Sequence, residues 1–306
     1  MDAILPYGVE IRFTPLYECL NSLHAYICRP SYKKLDMDPA WVKQVEERIP
    51  DTLRERLGQM SIDTEWRLVV LLVCCCPADT PQGFVDWLDK MSVQQLEQLL
   101  VDQGQQPPAS VARLRSRLLT VFDQWNASYW ATIDQHMLQR LDEEAAQRRQ
   151  QLQQYGATAS FVDITTAGIV LEPQPELKRL VLVPHYHFQP LNVLYAYREF
   201  TICHYASRVH FSDEGDLPPY EYRMLRSLSE QSRLKILRYL HKGPRSFIEI
   251  VRHLGLSKGI THDHVTKLRS AGLLHAHIKG ETLVSYSLRQ QALDELRAGL
   301  LQFIES

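Results

Sequence analysis

The sequence predicts a mainly α-helical protein with a small β content: an N-terminal α+β domain over residues 1–216, then a smaller C-terminal domain over 217–306 of short helices and one hairpin. Three observations predict it. The chain has 306 residues, room for two domains at roughly 150 residues each. Apolar residues make up 45% and charged residues 23%, the balance of a folded globular chain. The net charge of -2 is also unevenly spread: residues 217–306 carry 14 Lys/Arg against 8 Asp/Glu, leaving 20 against 28 in the first part. A basic segment beside an acidic one points to a polyanion-binding module joined to something else.

The first part opens with Val9-Glu10-Ile11-Arg12-Phe13, whose alternation predicts a strand with one wet face. Thr14-Pro15 opens a helix from Leu16 to about Tyr26, and Pro39 starts another with Trp41, Val42, Val45 and Ile49 along one side. Further helices are predicted at about 61–75, 81–90, 92–103 and 109–155, the last splitting near Asn126, with prolines as breakers between them. After Gly156, Phe161 to Leu171, Leu180 to Val183 and Phe200 to Tyr205 read as short strands. The polar stretch Ser212 to Pro219 reads as the linker.

This part carries no phosphate loop, nucleophile elbow or recognised ligand spacing, so no enzyme and no cofactor are expected. The six cysteines include no CxxC pair. Cys74-Cys75-Cys76 ends a buried helix, where adjacent side chains splay by about 100° and favour packing over metal. His185-Tyr186-His187 on a strand has two histidines on one face, which suits a metal or a wet strand face. No carboxylate or cysteine accompanies the pair, and no metal is expected. Trp125, Tyr129, Trp130, Tyr186, Tyr195, Tyr197 and Tyr205 form the core or line an effector pocket. The longest apolar run, Leu68 to Ala78, is shorter than the roughly 20 residues a membrane span needs. The N-terminus lacks a basic leader, so a cytoplasmic location without membrane association is expected.

From Tyr220 the pattern tightens. One helix carries Tyr222, Leu225 and Leu228; the next, Glu230 to His241, points Leu234, Leu237 and Leu240 inward and stops at Gly243-Pro244. Ser246 stands three residues before Glu249, a capping box, opening a short helix that buries Phe247, Ile250, Val251 and Leu254. Gly255 sits where a left-handed residue ends such a helix, and Ser257 is the N-cap candidate for a helix over 258–271. Two short helices joined by a glycine-containing turn make a helix-turn-helix. Leu274 to Lys279 alternates cleanly, Gly280 turns, and Thr282 to Ser287 returns, so a β-hairpin wing follows. The final helix, about 289–304, spaces Leu293, Leu296, Leu300 and Phe303 as a seam, for its own domain or for a dimer partner.

Residues 217–290 resemble the ArsR-type winged helix family of bacterial transcription regulators. The motifs are Arg233-Leu234-Lys235-Ile236-Leu237, Gly255-Leu256-Ser257, Leu268-Arg269-Ser270-Ala271-Gly272-Leu273 and Tyr286-Ser287-Leu288, in that order. The larger N-terminal part is similar to the helical regions preceding such domains in some longer bacterial regulators. The resemblance implies a winged helix-turn-helix that binds double-stranded DNA. Its metal-sensing branch uses cysteines on the first motif helix or Asp/His ligands on the last; 247–254 holds no cysteine and 289–304 no histidine. Three residues depart from the family pattern: Asp263, Gly259 and Thr261.

The recognition helix should bury Ile260 or Thr261, Val265 and Leu268, turning Lys258, Gly259, His262, Asp263 and Thr266 to the major groove. Lys258 and Lys267 are candidates for phosphate or guanine edges, with Arg269 beside them, and His262 and Thr266 for bases. The helix N-termini at Ser246 and Ser257 can offer N–H groups to phosphate. The wing residues His275, His277 and Lys279 would lie along the adjacent backbone or minor groove. The sequence thus predicts a homodimeric regulator binding an operator through about 258–271 and the wing 274–287, with the first part sensing a small-molecule effector or a partner. The alternative is an interaction scaffold whose winged helix no longer binds DNA, which Asp263 and Gly259 favour.

Overall fold

The computed structural model describes residues 4–28, 35–210 and 215–305, which are mainly helical with some strands. The chain divides into two compact units that alternate along the sequence: Val9–Arg149 with Arg179–Val209, and Met1–Gly8 with Gln150–Lys178 and His210–Ser306. No helix among the described residues is long and apolar enough to cross a membrane.

The first unit gathers helices around a four-stranded sheet. Its helices are α1 (Pro15–Ile27), α2 (Trp41–Arg48), α3 (Asp51–Gly58), α4 (Thr64–Cys75), α5 (Pro81–Lys90), α6 (Val93–Asp102), α7 (Val111–Ser128) and the start of α8 (Gln135–Tyr155). The caps explain their starts. Asp63 accepts from the Glu65 and Trp66 N–H groups, Thr80 from Gly83, Ser110 from Arg113, and Ser92 forms a reciprocal capping box with Gln95. The strand order is β1 (Gly8–Ile11), β3 (Arg179–His185), β5 (Phe200–Ala206), β4 (Val193–Ala196), with β3 parallel and β4 antiparallel to β5. β3 and β5 are almost wholly buried, which accounts for their continuous apolar texture.

The structure meets some expectations for this unit and corrects others. Helix α3 lies in a stretch assigned no element. The stretch 109–155 splits as expected, within two residues of Asn126: α7 ends at Ser128 and a 3-10 turn at Trp130–Thr132 leads to α8. β4 carried too short a pattern to be seen. Among the named aromatics all but half-buried Tyr186 are buried in the core. The cysteine triplet packs at the end of α4, where burial pushes the Cys75 thiol up to about 12. His185 and His187 do not form a wet face: both are buried, and only His185 belongs to the strand.

The second unit is a helix-turn-helix with a wing and an added strand. It contains α9 (Ala159–Thr166), β2 (Ile169–Leu171), α10 (Pro219–Leu228), α11 (Gln231–Leu240), α12 (Phe247–Leu254), α13 (Lys258–Ser270), β6 (Leu274–Lys279), β7 (Thr282–Leu288) and α14 (Gln291–Glu305). Ile236, Leu237, Leu240, Ile250, Val265, Leu268 and Leu273 fill its core, whereas Leu234, expected inward, is 46% exposed. Phe247, Val251 and Leu254, expected to be buried in α12, are only half-buried. The predicted strand over Phe161 to Leu171 is mostly helix: Thr158 accepts from the Phe161 N–H and starts α9, and only its end enters a sheet.

That short strand moves the boundary. β2 pairs parallel with β6, Ile169 opposite Ala276, so the sheet runs β2, β6, β7. The compact units therefore do not follow the single cut after Asp216; residues 150–178 fold with the wing. Of the predicted linker, Ser212, Asp213 and Glu214 lie outside the described residues, and Pro219 already opens α10. Gly168 makes the junction possible. Its φ is +114°, and a Cβ there would meet the Leu274 carbonyl oxygen. Gly168→Ala is expected to cost about 1–3 kcal/mol from backbone strain alone, readable as a lowered thermal midpoint; an unchanged midpoint would show that β2 is not tightly held.

Candidate nucleic-acid interface

The turn between α12 and α13 is built as the caps dictate. Gly255 ends α12 at φ 66°, and the Ser257 side chain accepts from the Ile260 N–H to start α13. Thr261, Val265 and Leu268 turn inward, while Ile260 is 50% exposed. The opposite face of α13 presents Lys258, Gly259, His262 and Asp263 exposed, with Thr266 half-buried. Lys258 has no ion-pair partner among the described residues. The His262 ring stands edge-on to Phe247 at 6.1 Å between centroids.

Lys267 differs. Its Nζ lies 2.7 Å from Asp263 Oδ2, both side chains about half exposed. Such an i,i+4 pair is worth only about 0.3–0.5 kcal/mol, so it can open, but in this geometry Asp263 screens the Lys267 charge. Arg269 is half-buried beside Tyr286, whose hydroxyl burial pushes up and the Arg269 charge pulls down. It flanks the exposed face rather than centring it.

Ser246 does not fit the phosphate-donor role expected of it. Its N–H and hydroxyl both donate to Glu249 Oε2, at 2.8 and 2.7 Å. The N-terminus of α12 therefore already holds a carboxylate, which hydrogen bonds from Ser246 keep below its ordinary pKa. The Ser257 hydroxyl accepts from the Ile260 N–H and donates to none of the described residues, and its exposed position suits it better.

The wing is more committed than the sequence suggested. Ser287 Oγ lies 2.8 Å from His277 Nε2 and 3.3 Å from His275 Nδ1, and His275 Nε2 lies 3.1 Å from Asp163 Oδ1. Burial, then the neighbouring His275, lower the pKa of His277, and its Nε2 is bonded within the wing to Ser287. Of the wing candidates, Lys279 at the end of β6 is exposed.

Sequence reasoning passed over a surface stack. The Arg245 guanidinium lies 5.2 Å from the Tyr239 ring centroid, and Tyr239 stacks on His253 at 3.9 Å and 8°. The arginine immediately before the Ser246 cap was the available signal. Asp163, which anchors the wing, gave none, because it belongs to a segment read as part of another domain.

Residues 230–276 match the family described as "Bacterial regulatory protein, arsR family". No curated protein matches the chain. Among solved structures, the chain is similar to a crystal structure of a possible transcriptional regulatory protein (fragment 1–100) from Mycobacterium bovis. That match is 27% identical and covers 28% of this chain and 90% of the other, with a TM-score of 0.23. It is also similar to a solution structure of the homodimeric winged helix-turn-helix DNA-binding domain (fragment 1–100) of a possible ArsR-family transcriptional regulator from Mycobacterium bovis. Here identity is 26%, over 32% of this chain and 89% of the other, with a TM-score of 0.25. The C-terminal region thus resembles the helix-turn-helix of ArsR-family regulators over residues 230–276.

Proposed function

We propose that this chain is a non-catalytic, cytoplasmic DNA-binding transcription regulator that reads an operator as a homodimer, its other unit sensing a small molecule or a partner. The observation that carries the reading is the face of α13 that exposes Lys258 and His262, with Thr266 half-buried beside them, ahead of a wing whose first strand ends in exposed Lys279. A helix of this kind fits the major groove, its cations neutralising phosphate and its polar groups reaching base edges. Homodimerisation is supported by α14, which turns Leu296 inward but leaves Leu293 38%, Leu301 46%, Phe303 38% and Ile304 75% exposed. Paired recognition helices about one helical turn apart then match an inverted repeat.

The test is fluorescence anisotropy on a fragment of the upstream region, across a salt series with competitor DNA. Competitor-resistant binding that weakens several-fold as salt rises supports the reading. Lys258→Ala should reduce the slope of log K against log salt by about one, and Lys267→Ala by less, because Asp263 holds it. Asp263→Asn should strengthen non-specific binding by freeing Lys267. The scaffold reading is favoured by the two carboxylates at the interface, Glu249 on the α12 N-terminus and Asp263 on Lys267. DNA binding absent at low salt, in wild type and in Asp263→Asn alike, selects it.

A further inference from the structure

Helices α3 and α7 of the first unit pack together, with Leu53, Leu57, Leu114 and Leu118 buried, and polar side chains of both helices line a cleft between them. Thr52 and Arg56 stand at i and i+4 on α3, with Gln59 at i+7 as its C-cap; Arg113, Ser116 and Arg117 recur at i, i+3 and i+4 on α7. Those spacings place each set on one helix face. Together they line a cleft of about 590 Å³, within the range of roughly 300–1,000 Å³ typical of small-ligand sites.

The cleft is donor-rich. Three guanidiniums, a serine and a threonine hydroxyl and a glutamine amide face it. Counter-charge is short. The Glu65 carboxylate contacts Arg117, and Glu55 lines the rim. Asp63 is occupied as the N-cap of α4. Arg56 and Arg113 have no carboxylate partner among the described residues, and Arg117 Nε is shielded from solvent without a hydrogen-bond partner. Burial lowers the pKa of Arg117, Asp63 raises it and the like charge of Arg56 lowers it further. Positive charge is thus held together at a cost that a bound anion relieves.

We infer that this cleft is a binding site for a small, multiply charged oxyanion, a phosphate ester or a dicarboxylate, clamped between the α3 and α7 arginines. Planar guanidiniums present paired N–H donors that match the paired oxygens of such groups, and Ser116 and Thr52 add neutral donors. As the effector of the regulator the ligand rests on the function proposed above; as a binding site it does not.

The experiment is calorimetric titration of the full chain with inorganic pyrophosphate and, separately, succinate, against sodium chloride at matched ionic strength. Saturable binding of one of the two near one equivalent is expected, and which one binds separates the phosphate from the carboxylate source. The variant Arg56→Gln with Arg113→Gln should weaken it by about tenfold or more. Both residues are exposed and outside the core, so the fold should survive; Ser116→Glu, which puts a carboxylate into the cleft, should have the same effect. Lys258→Ala with Lys267→Ala should leave the binding unchanged while weakening DNA binding. Binding no stronger than chloride, or binding unaffected by the cleft variants, overturns the inference and leaves the DNA reading standing.

Discussion

Replacing Arg289 with methionine is expected to destabilise the winged unit by about 3–5 kcal/mol, the loss usual when one partner of a buried ion network is removed. Arg289 is fully buried. Its Nε donates to both oxygens of Asp163, at 3.0 and 2.9 Å, and its two terminal nitrogens donate to Glu295 at 3.1 and 2.6 Å; Nη1 also reaches the Gly272 carbonyl at 3.3 Å. Burial alone would raise the Asp163 pKa, but the His275 hydrogen bond and the Arg289 charge hold it below its ordinary range. Methionine fills much of the volume and satisfies neither carboxylate. Lysine should rescue poorly, since one ammonium cannot reproduce the fork to two carboxylates. The measurement is hydrogen exchange of the α13 and β6 amides with and without the substitution. A change in protection equivalent to less than about 1 kcal/mol would mean that water replaces the guanidinium, and the network would then not hold the wing.

The same residues show what could be read in advance. The capping box from Ser246 to Glu249, the left-handed Gly255, the Ser257 cap and the alternation of Leu274 to Lys279 are local, within three or four residues, and the structure contains all of them. The fold of the helix-turn-helix was legible for that reason. Asp163 and Arg289 are 126 positions apart, and the parallel pairing of β2 with β6 spans a comparable distance; neither leaves a local mark. In Phe161-Val162-Asp163-Ile164-Thr165-Thr166, β-branched side chains suggested a strand, but the Thr158 cap and burial of one face select a helix. The anion cleft was invisible because Arg56, Arg113 and Arg117 look like ordinary solvated helix positions until the two helices pack. Partner assignment failed most at the histidines: alternation suggested a wet face, whereas the packing of α1 against β3 and β5 removed the water.

Acidification should unfold the first unit through those histidines. His24 on α1, His185 at the end of β3 and His204 on β5 are all buried. His24 Nδ1 lies 3.2 Å from the Trp66 indole nitrogen, which can only donate, and 3.1 Å from the Tyr195 hydroxyl, so a proton on Nδ1 would displace the Trp66 bond. His185 Nε2 lies 3.0 Å from the Leu191 carbonyl, while its Nδ1 and both nitrogens of His204 have no hydrogen-bond partner among the described residues. Burial lowers His24 to about 3 and His185 to about 4, the nearby Glu18 carboxylate only partly offsetting the effect on His185; burial also takes His204 well below its ordinary value. An unfolded chain binds these protons from about pH 6.5 downward, so the stability is fully present above that pH and is lost as pH falls toward the folded values. At pH 5 His24 and His185 each cost roughly 2 kcal/mol, and His204 acts in the same direction, a sizeable share of the 5–15 kcal/mol net stability of a domain. All five tryptophans fall between Trp41 and Trp130, inside this unit, so indole fluorescence reports its unfolding without interference from the winged unit. The expected midpoint is near pH 4–5. His204→Leu provides the decisive arm, because it removes two unpaired buried nitrogens and one titrating group without deleting a recorded hydrogen bond. It should be neutral or stabilising at pH 7 and should move the acid midpoint down. An unchanged midpoint would place the acid sensitivity in carboxylate contacts instead, and a loss of stability at pH 7 would show that the imidazole is hydrogen-bonded through buried water.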